Sequence, residues 1–146
     1  MPNKKTVQVN ATLGQTFKME SRIRDHVLYI DQAKGAGGTD SGPSALEYLL
    51  LSMAGCIGSI ARIVAHQKKV ALRGMELEAE GTVDVDFLLG KSTENRCGFE
   101  SITVRAKLDA DLSAEEKEEF LHEVDKRCPV SENLANTTPI KVELAD

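Results

Sequence analysis

The feature that most constrains this chain is the stretch from Ala45 to Val64, which is apolar nearly all round. Leu46, Leu49, Leu50, Met53, Ile57, Ile60, Ile63 and Val64 recur at helical spacing. Pro43 and Ser44 make a helix start, and Glu47 sits early, where a negative charge suits the helix dipole. The cations of Gln67-Lys68-Lys69 suit the other end. Such a helix of about 25 residues is about 37 Å long at the standard rise. Only 14 uncharged residues lie between Glu47 and Arg62, and Ser52, Gly55, Gly58 and Ser59 interrupt them. That is short of the roughly 18 apolar residues expected of a membrane span, so the stretch reads as a core helix and no membrane association is expected. A helix apolar on every side must be covered on more than one side. A chain of 146 residues has little material with which to do so, and a second copy of the chain is the natural cover.

Around this helix the period changes to two. Thr6 to Leu13 alternates, with Val7, Val9 and Ala11 on one face. Gly14-Gln15 turns the chain into a second expected strand, Thr16 to Glu20, and Arg22 to Asp31 is a third. Asp31 to Gly42, rich in Gly, Asp and Thr, reads as an ordered-to-mobile loop, with Gly35 to Gly42 a flexible connection. After the helix, Met75 to Phe87 is a long expected strand with a solvated acidic face (Glu76, Glu78, Glu80), and Phe99 to Leu108 is another. Ser113-Ala114-Glu115-Glu116 is a capping box opening a helix to about Arg127. Pro129 favours a short helix over Val130 to Asn136, and Ile140 to Leu144 is a last expected strand. This order is that of an α+β fold, and no boundary divides residues 1–146 into more than a single domain.

Composition excludes several classes. The net charge of −5 argues against a nucleic-acid partner, which calls for a basic face. Three cysteines, none in a Cys-x-x-Cys pair, argue against a secreted disulfide scaffold, and the first residues hold no apolar signal segment. A cytoplasmic location is the expectation. His26, His66 and His122 have no ligand-pair spacing, so no metal and no cofactor is expected. The loop Gly35 to Gly42 resembles a phosphate cradle, but it lacks the Gly-Lys-Ser/Thr ending, and Asp40 takes the place of a glycine.

The cysteines carry the candidate chemistry. Cys56 is mid-helix between Gly55 and Gly58, each of which weakens a helix interior by about 1 kcal/mol relative to alanine. The plain reading is a small core residue. Reaction as a thiolate calls for a cation, which Arg22 and Arg24 on the preceding strand could supply. Cys128, before Pro129 at the start of a short helix and beside Arg127, has the local setting of a low-pKa nucleophile; the plain reading is an N-cap. Cys97, in a loop, reads as incidental.

Two stretches resemble one family. Gly37-Gly38-Thr39-Asp40-Ser41-Gly42-Pro43-Ser44-Ala45-Leu46-Glu47-Tyr48-Leu49-Leu50, running to Ala54-Gly55-Cys56, is similar to the first-cysteine helix of OsmC/Ohr proteins. Cys128-Pro129-Val130-Ser131 is similar to their second-cysteine motif. The resemblance implies an intertwined homodimer, its long central helices wrapped by antiparallel β-sheets. It implies a thiol peroxidase that reduces organic hydroperoxides to alcohols through a Cys56–Cys128 disulfide cycle. A dithiol reductant, a lipoyl protein or a thioredoxin-like one, then restores the thiols. The family's arginine corresponds to Arg22 or Arg24, with Arg24 preferred. The family's glutamate lies in a Pro-Glu pair ten residues before the first cysteine. Here Ala45 and Leu46 take those positions, and Glu47 falls one place late, a rotation of about 100° on a helix. The displaced glutamate motivates an alternative: a non-catalytic stress protein that binds an apolar ligand at its dimer interface. A third reading is a dimer whose cysteines only sense oxidation.

Overall fold

The computed structural model describes residues 2–145. The chain forms two compact units, residues 1–49 and 50–146.

The first unit is a three-stranded antiparallel sheet. It holds β1 (Thr12–Leu13), β2 (Met19–Ile23) and β3 (His26–Ile30), in that order. The sequence led us to expect one strand from Arg22 to Asp31. Instead Ile23 pairs with His26, and Arg24-Asp25 is a two-residue hairpin turn with Arg24 in the left-handed region at φ 54°. Period two runs unbroken through such a turn when the pairing partner is the chain's own continuation, so alternation alone did not mark it. The first expected strand is also shorter: only Thr12–Leu13 pairs, opposite Glu20 and Met19, and Val7 and Val9 stand exposed. Likewise the expected strand Thr16 to Glu20 shifts to Met19–Ile23.

The connection after β3 is ordered rather than loose. Asp31 has no exposed surface, and its carboxylate accepts the Gln32, Thr39 and Ser41 backbone N–H groups (2.8, 3.2 and 3.0 Å) and the Thr39 hydroxyl (2.6 Å). A 3-10 turn, Lys34–Ala36, sits inside this loop. Gly38 is required, because a Cβ there would run into the Gln32 backbone carbonyl. These bonds hold the Asp31 carboxyl far below the usual carboxylate range, the Thr39 hydroxyl foremost.

The long helix α1 (Ala45–Lys68) begins in the first unit and runs through the second. Its start is a reciprocal cap: Ser44 N–H donates to Glu47 Oε1 (2.9 Å) and Glu47 N–H donates to Ser44 Oγ (3.2 Å). By length and composition alone α1 could cross a membrane. In the second unit, however, Ile57, Ala61, Val64 and Ala65 are buried, in one cluster with Leu72, Leu108, Ala110, Phe120 and Val124. That makes α1 the core helix of this unit, as its periodicity predicts.

The rest of the second unit is a two-stranded antiparallel sheet with three helices. β4 (Leu72–Gly81) pairs with β5 (Ile102–Ala110), Leu77 opposite Ala106, with a bulge between Leu72 and Gly74. The apolar faces of both strands point at the cluster, and the outward charges pair across it, as in Arg105–Glu80 at 2.7 Å. Such exposed pairs are worth roughly 0–1 kcal/mol each. The expected strand Met75 to Phe87 starts earlier and stops at Gly81, where a Cβ would strike the Phe99 ring at 2.6 Å. Asp84 then caps a single helical turn, α2 (Val85–Leu88), by accepting the Asp86 N–H. α3 (Ala114–Lys126) opens on the predicted capping box at Ser113 and Glu116. α4 (Pro129–Ala135) has Cys128 as its N-cap and Pro129 in its first turn. The last expected strand, Ile140 to Leu144, is not one: its residues pair with no strand of this chain, and Ile140, Val142 and Leu144 are at least 86 % exposed. The alternation is that of a strand, but among the described residues it joins neither sheet.

Candidate active site

Cys56 and Cys128 meet in the second unit. Cys56 is half-buried on α1 and packs against the core cluster to which Cys128 belongs. Gly58, two residues on, lets the helix approach β4, since a Cβ there would lie 3.3 Å from Leu77 Cδ1. This is the compensation that a glycine in a helix interior calls for. Gly55 has no neighbour within 4 Å of where a Cβ would stand.

Cys128 is 1 % exposed. Its thiol is pushed above its ordinary value, mainly by burial and then by the hydrogen bond with Cys56. The N–H groups of Ser131 and Val130 oppose that shift without overcoming it. Local sequence physics favoured Cys128 as the low-pKa nucleophile. Tertiary burial overturns that expectation for Cys128, because removing a thiolate from water outweighs two backbone N–H donors from a helix of seven residues. All three cysteines are free thiols, and Cys97 is exposed in the loop before β5.

The sequence did not single out what surrounds Cys128. Ser131 N–H donates to Cys128 Sγ (3.4 Å), and Ser131 Oγ–H donates to Asp125 Oδ1 (2.6 Å). The available signal was an aspartate three residues before the cysteine and a serine three after it. A cavity of about 310 Å³ lies alongside, walled by Met53 and Ile57 of α1, Val104 and Ala106 of β5, and Leu121, with Asp125 and Ser131 at its polar side.

The remaining candidates belong to the first unit. The Glu47 carboxylate is engaged by Ser44 at the helix start, and this lowers its pKa. Arg22 is largely exposed and pairs with Glu20 at 3.1 Å. Arg24 occupies the β2–β3 turn.

A long helix carrying one thiol, antiparallel sheets and a second thiol at the cap of a short helix define a two-cysteine α+β protein. The chain belongs to the OsmC-like protein family, whose model matches residues 38–143. It superposes on the OsmC-like protein of Mycoplasma pneumoniae with a TM-score of 0.80 at 22 % identity, covering 92 % of this chain and 91 % of that one. The organic hydroperoxide resistance protein OsmC of Legionella pneumophila gives 0.69 at 19 % identity, covering 91 % of each chain. The organic hydroperoxide resistance protein OhrB of Bacillus subtilis gives 0.62 at 22 % identity, covering 97 % and 98 %. None of the curated proteins compared with the chain matches it.

Proposed function

We propose that the protein is a thiol peroxidase that reduces organic hydroperoxides, with Cys56 attacking and Cys128 resolving. The observation that carries this reading is the hydrogen-bonded pairing of a half-buried thiol with a fully buried one from elements far apart in the sequence. The Cys56 thiolate attacks the terminal peroxide oxygen; the O–O bond breaks, and the alcohol leaves with a proton. Cys56 is then a sulfenic acid. The Cys128 sulfur displaces its hydroxyl as water and closes the disulfide. A dithiol, lipoyl-bound or thioredoxin-like, reduces the bridge by two exchanges and is itself oxidised. The apolar cluster against which Cys56 packs suits an organic peroxide better than hydrogen peroxide. Arg24 or Arg22 is the cation this reading assigns to the thiolate, with Glu47 as the family's glutamate displaced by one place.

The working unit in this reading is a cytoplasmic homodimer of single-domain chains. One chain alone exposes 11563 Å², well above the ~8,800 Å² that even two separate compact units of these lengths would expose. Leu51, Gly55, Ser59 and Ile63 form an exposed ridge of α1 at i, i+4 spacing. The unpaired alternating segments at Val7 and Val9 and at Ile140 to Leu144 are strands waiting for an edge. A monomer in sedimentation equilibrium at micromolar concentration would overturn this part.

The catalytic claim is tested by mixing the reduced protein with cumene hydroperoxide or with hydrogen peroxide and following peroxide loss and intact mass. The expected result is faster loss of the organic peroxide and a Cys56–Cys128 bridge, both absent in Cys56→Ser. Equal rates for wild type and Cys56→Ser would sink the proposal.

A further inference from the structure

The turn between α3 and α4 carries more hydrogen bonds than a connection of its length requires. The Val124 carbonyl accepts the Arg127 N–H (3.1 Å), and the Asp125 carbonyl accepts the Cys128 N–H (3.1 Å). These finish α3 in the ordinary way. Ser131 adds a second layer. Its backbone N–H is on the Cys128 sulfur while its hydroxyl is on the Asp125 carboxylate. One residue therefore grips both the resolving thiol and the last turn of the preceding helix.

We propose that Asp125 and Ser131 form a clasp that positions Cys128, and that the clasp sets the rate at which the Cys56–Cys128 disulfide closes. The inference rests on the peroxidase reading only for the source of the oxidant.

The physical case is one of leverage. α4 has seven residues, too few to be stable by itself, and none of them is buried. Its first turn is held by Cys128 and Val130, which pack in and against the core, and by what ties it to α3. A disulfide needs Cα atoms within about 7 Å and a narrow range of torsions. A cap that swings on the Arg127-Cys128 hinge spends most of its time outside that range, and the effective concentration of the second thiol falls accordingly. The Ser131–Asp125 bond is short and charge-assisted, which makes it the strongest of the ties across the turn. The pair also sits at the margin of the 310 Å³ cavity, outside the apolar cluster that holds the unit together. Its removal is therefore compatible with folding. Asp125 and Ser131 are positioning residues, since they act through Cys128.

The test separates the two steps of oxidation. Reduced wild type, Ser131→Ala and Asp125→Ala are mixed with one equivalent of cumene hydroperoxide, quenched with dimedone at intervals and weighed intact. The alanine variants are expected to form Cys56 sulfenic acid at the wild-type rate and to close the bridge about three- to tenfold more slowly, the worth of one such hydrogen bond. Ser131→Thr and Asp125→Asn, which keep a donor and an acceptor, are expected to restore closure. Closure at the wild-type rate in both alanine variants overturns the clasp, and so does an equal slowing of both steps, which marks a general structural role. A parallel arm uses diamide. Its N=N bond takes up the two electrons and two protons of the dithiol, first as an adduct on one sulfur and then on displacement by the other. A wild type that closes with diamide but ignores the peroxide refutes the peroxidase reading alone. The diamide rates of the variants then decide the clasp by the same criterion.

Discussion

The two units of this chain are held in order by different physics. Among the described residues, every buried side chain of the first unit is polar: Ser21, whose hydroxyl donates to the Asn10 carbonyl, and Asp31. The buried apolar residues, from Ile57 to Cys128, all belong to the second. The first unit is a hydrogen-bonded frame around one carboxylate; the second is an apolar core around one helix. A frame of that kind orders a loop but buries little apolar surface, so it gains little of the free energy that stabilises a domain. The second unit has its own core and places the thiol pair there. Glu47, Arg22 and Arg24 belong to the first, whose Val7, Val9 and Leu13 are exposed.

The largest expected effect falls on the core. Phe120→Ala, at 4 % exposure, should destabilise the protein by about 3–5 kcal/mol, read as a lower urea midpoint, and should open Cys128 to alkylation. A cost under about 1 kcal/mol would mean that the cluster is not the source of stability. Asp31→Asn comes next. Asp31 is depressed in the folded state, so its contribution is complete above the unfolded carboxylate value and is lost as the pH falls below about 4. The variant should unfold earlier at pH 7 and show a flatter loss of stability in acid; an unchanged acid profile contradicts the frame. The smallest effect is kinetic and needs no mutation. Iodoacetamide should label exposed Cys97 first, Cys56 next and Cys128 last, read by peptide mass. Cys128 labelling ahead of Cys56 would reverse the assignment of attacking and resolving thiols.

Much of this was legible because it is local. The α1 periodicity, the Ser113 capping box and the cap at Cys128-Pro129 depend on residues within a turn or two of each other. The failures share a different cause. Arg22 to Asp31 reads as one strand, but pairing folds it at Arg24-Asp25. Gly35 to Gly42 reads as flexible by composition, and a single carboxylate from outside the glycine run, Asp31, orders it. Ile140 to Leu144 has the right period but joins neither sheet among the described residues.

By itself the sequence determined the α+β order, the long apolar helix and the two cysteine motifs, because side-chain period and capping chemistry act over a few residues. Only the tertiary structure decided which thiol is buried, that Cys56 and Cys128 touch, and that Ser131 bridges the second thiol to Asp125. Burial and hydrogen bonds between separate elements depend on what the fold brings alongside, and that outweighed the local helix-start argument at Cys128.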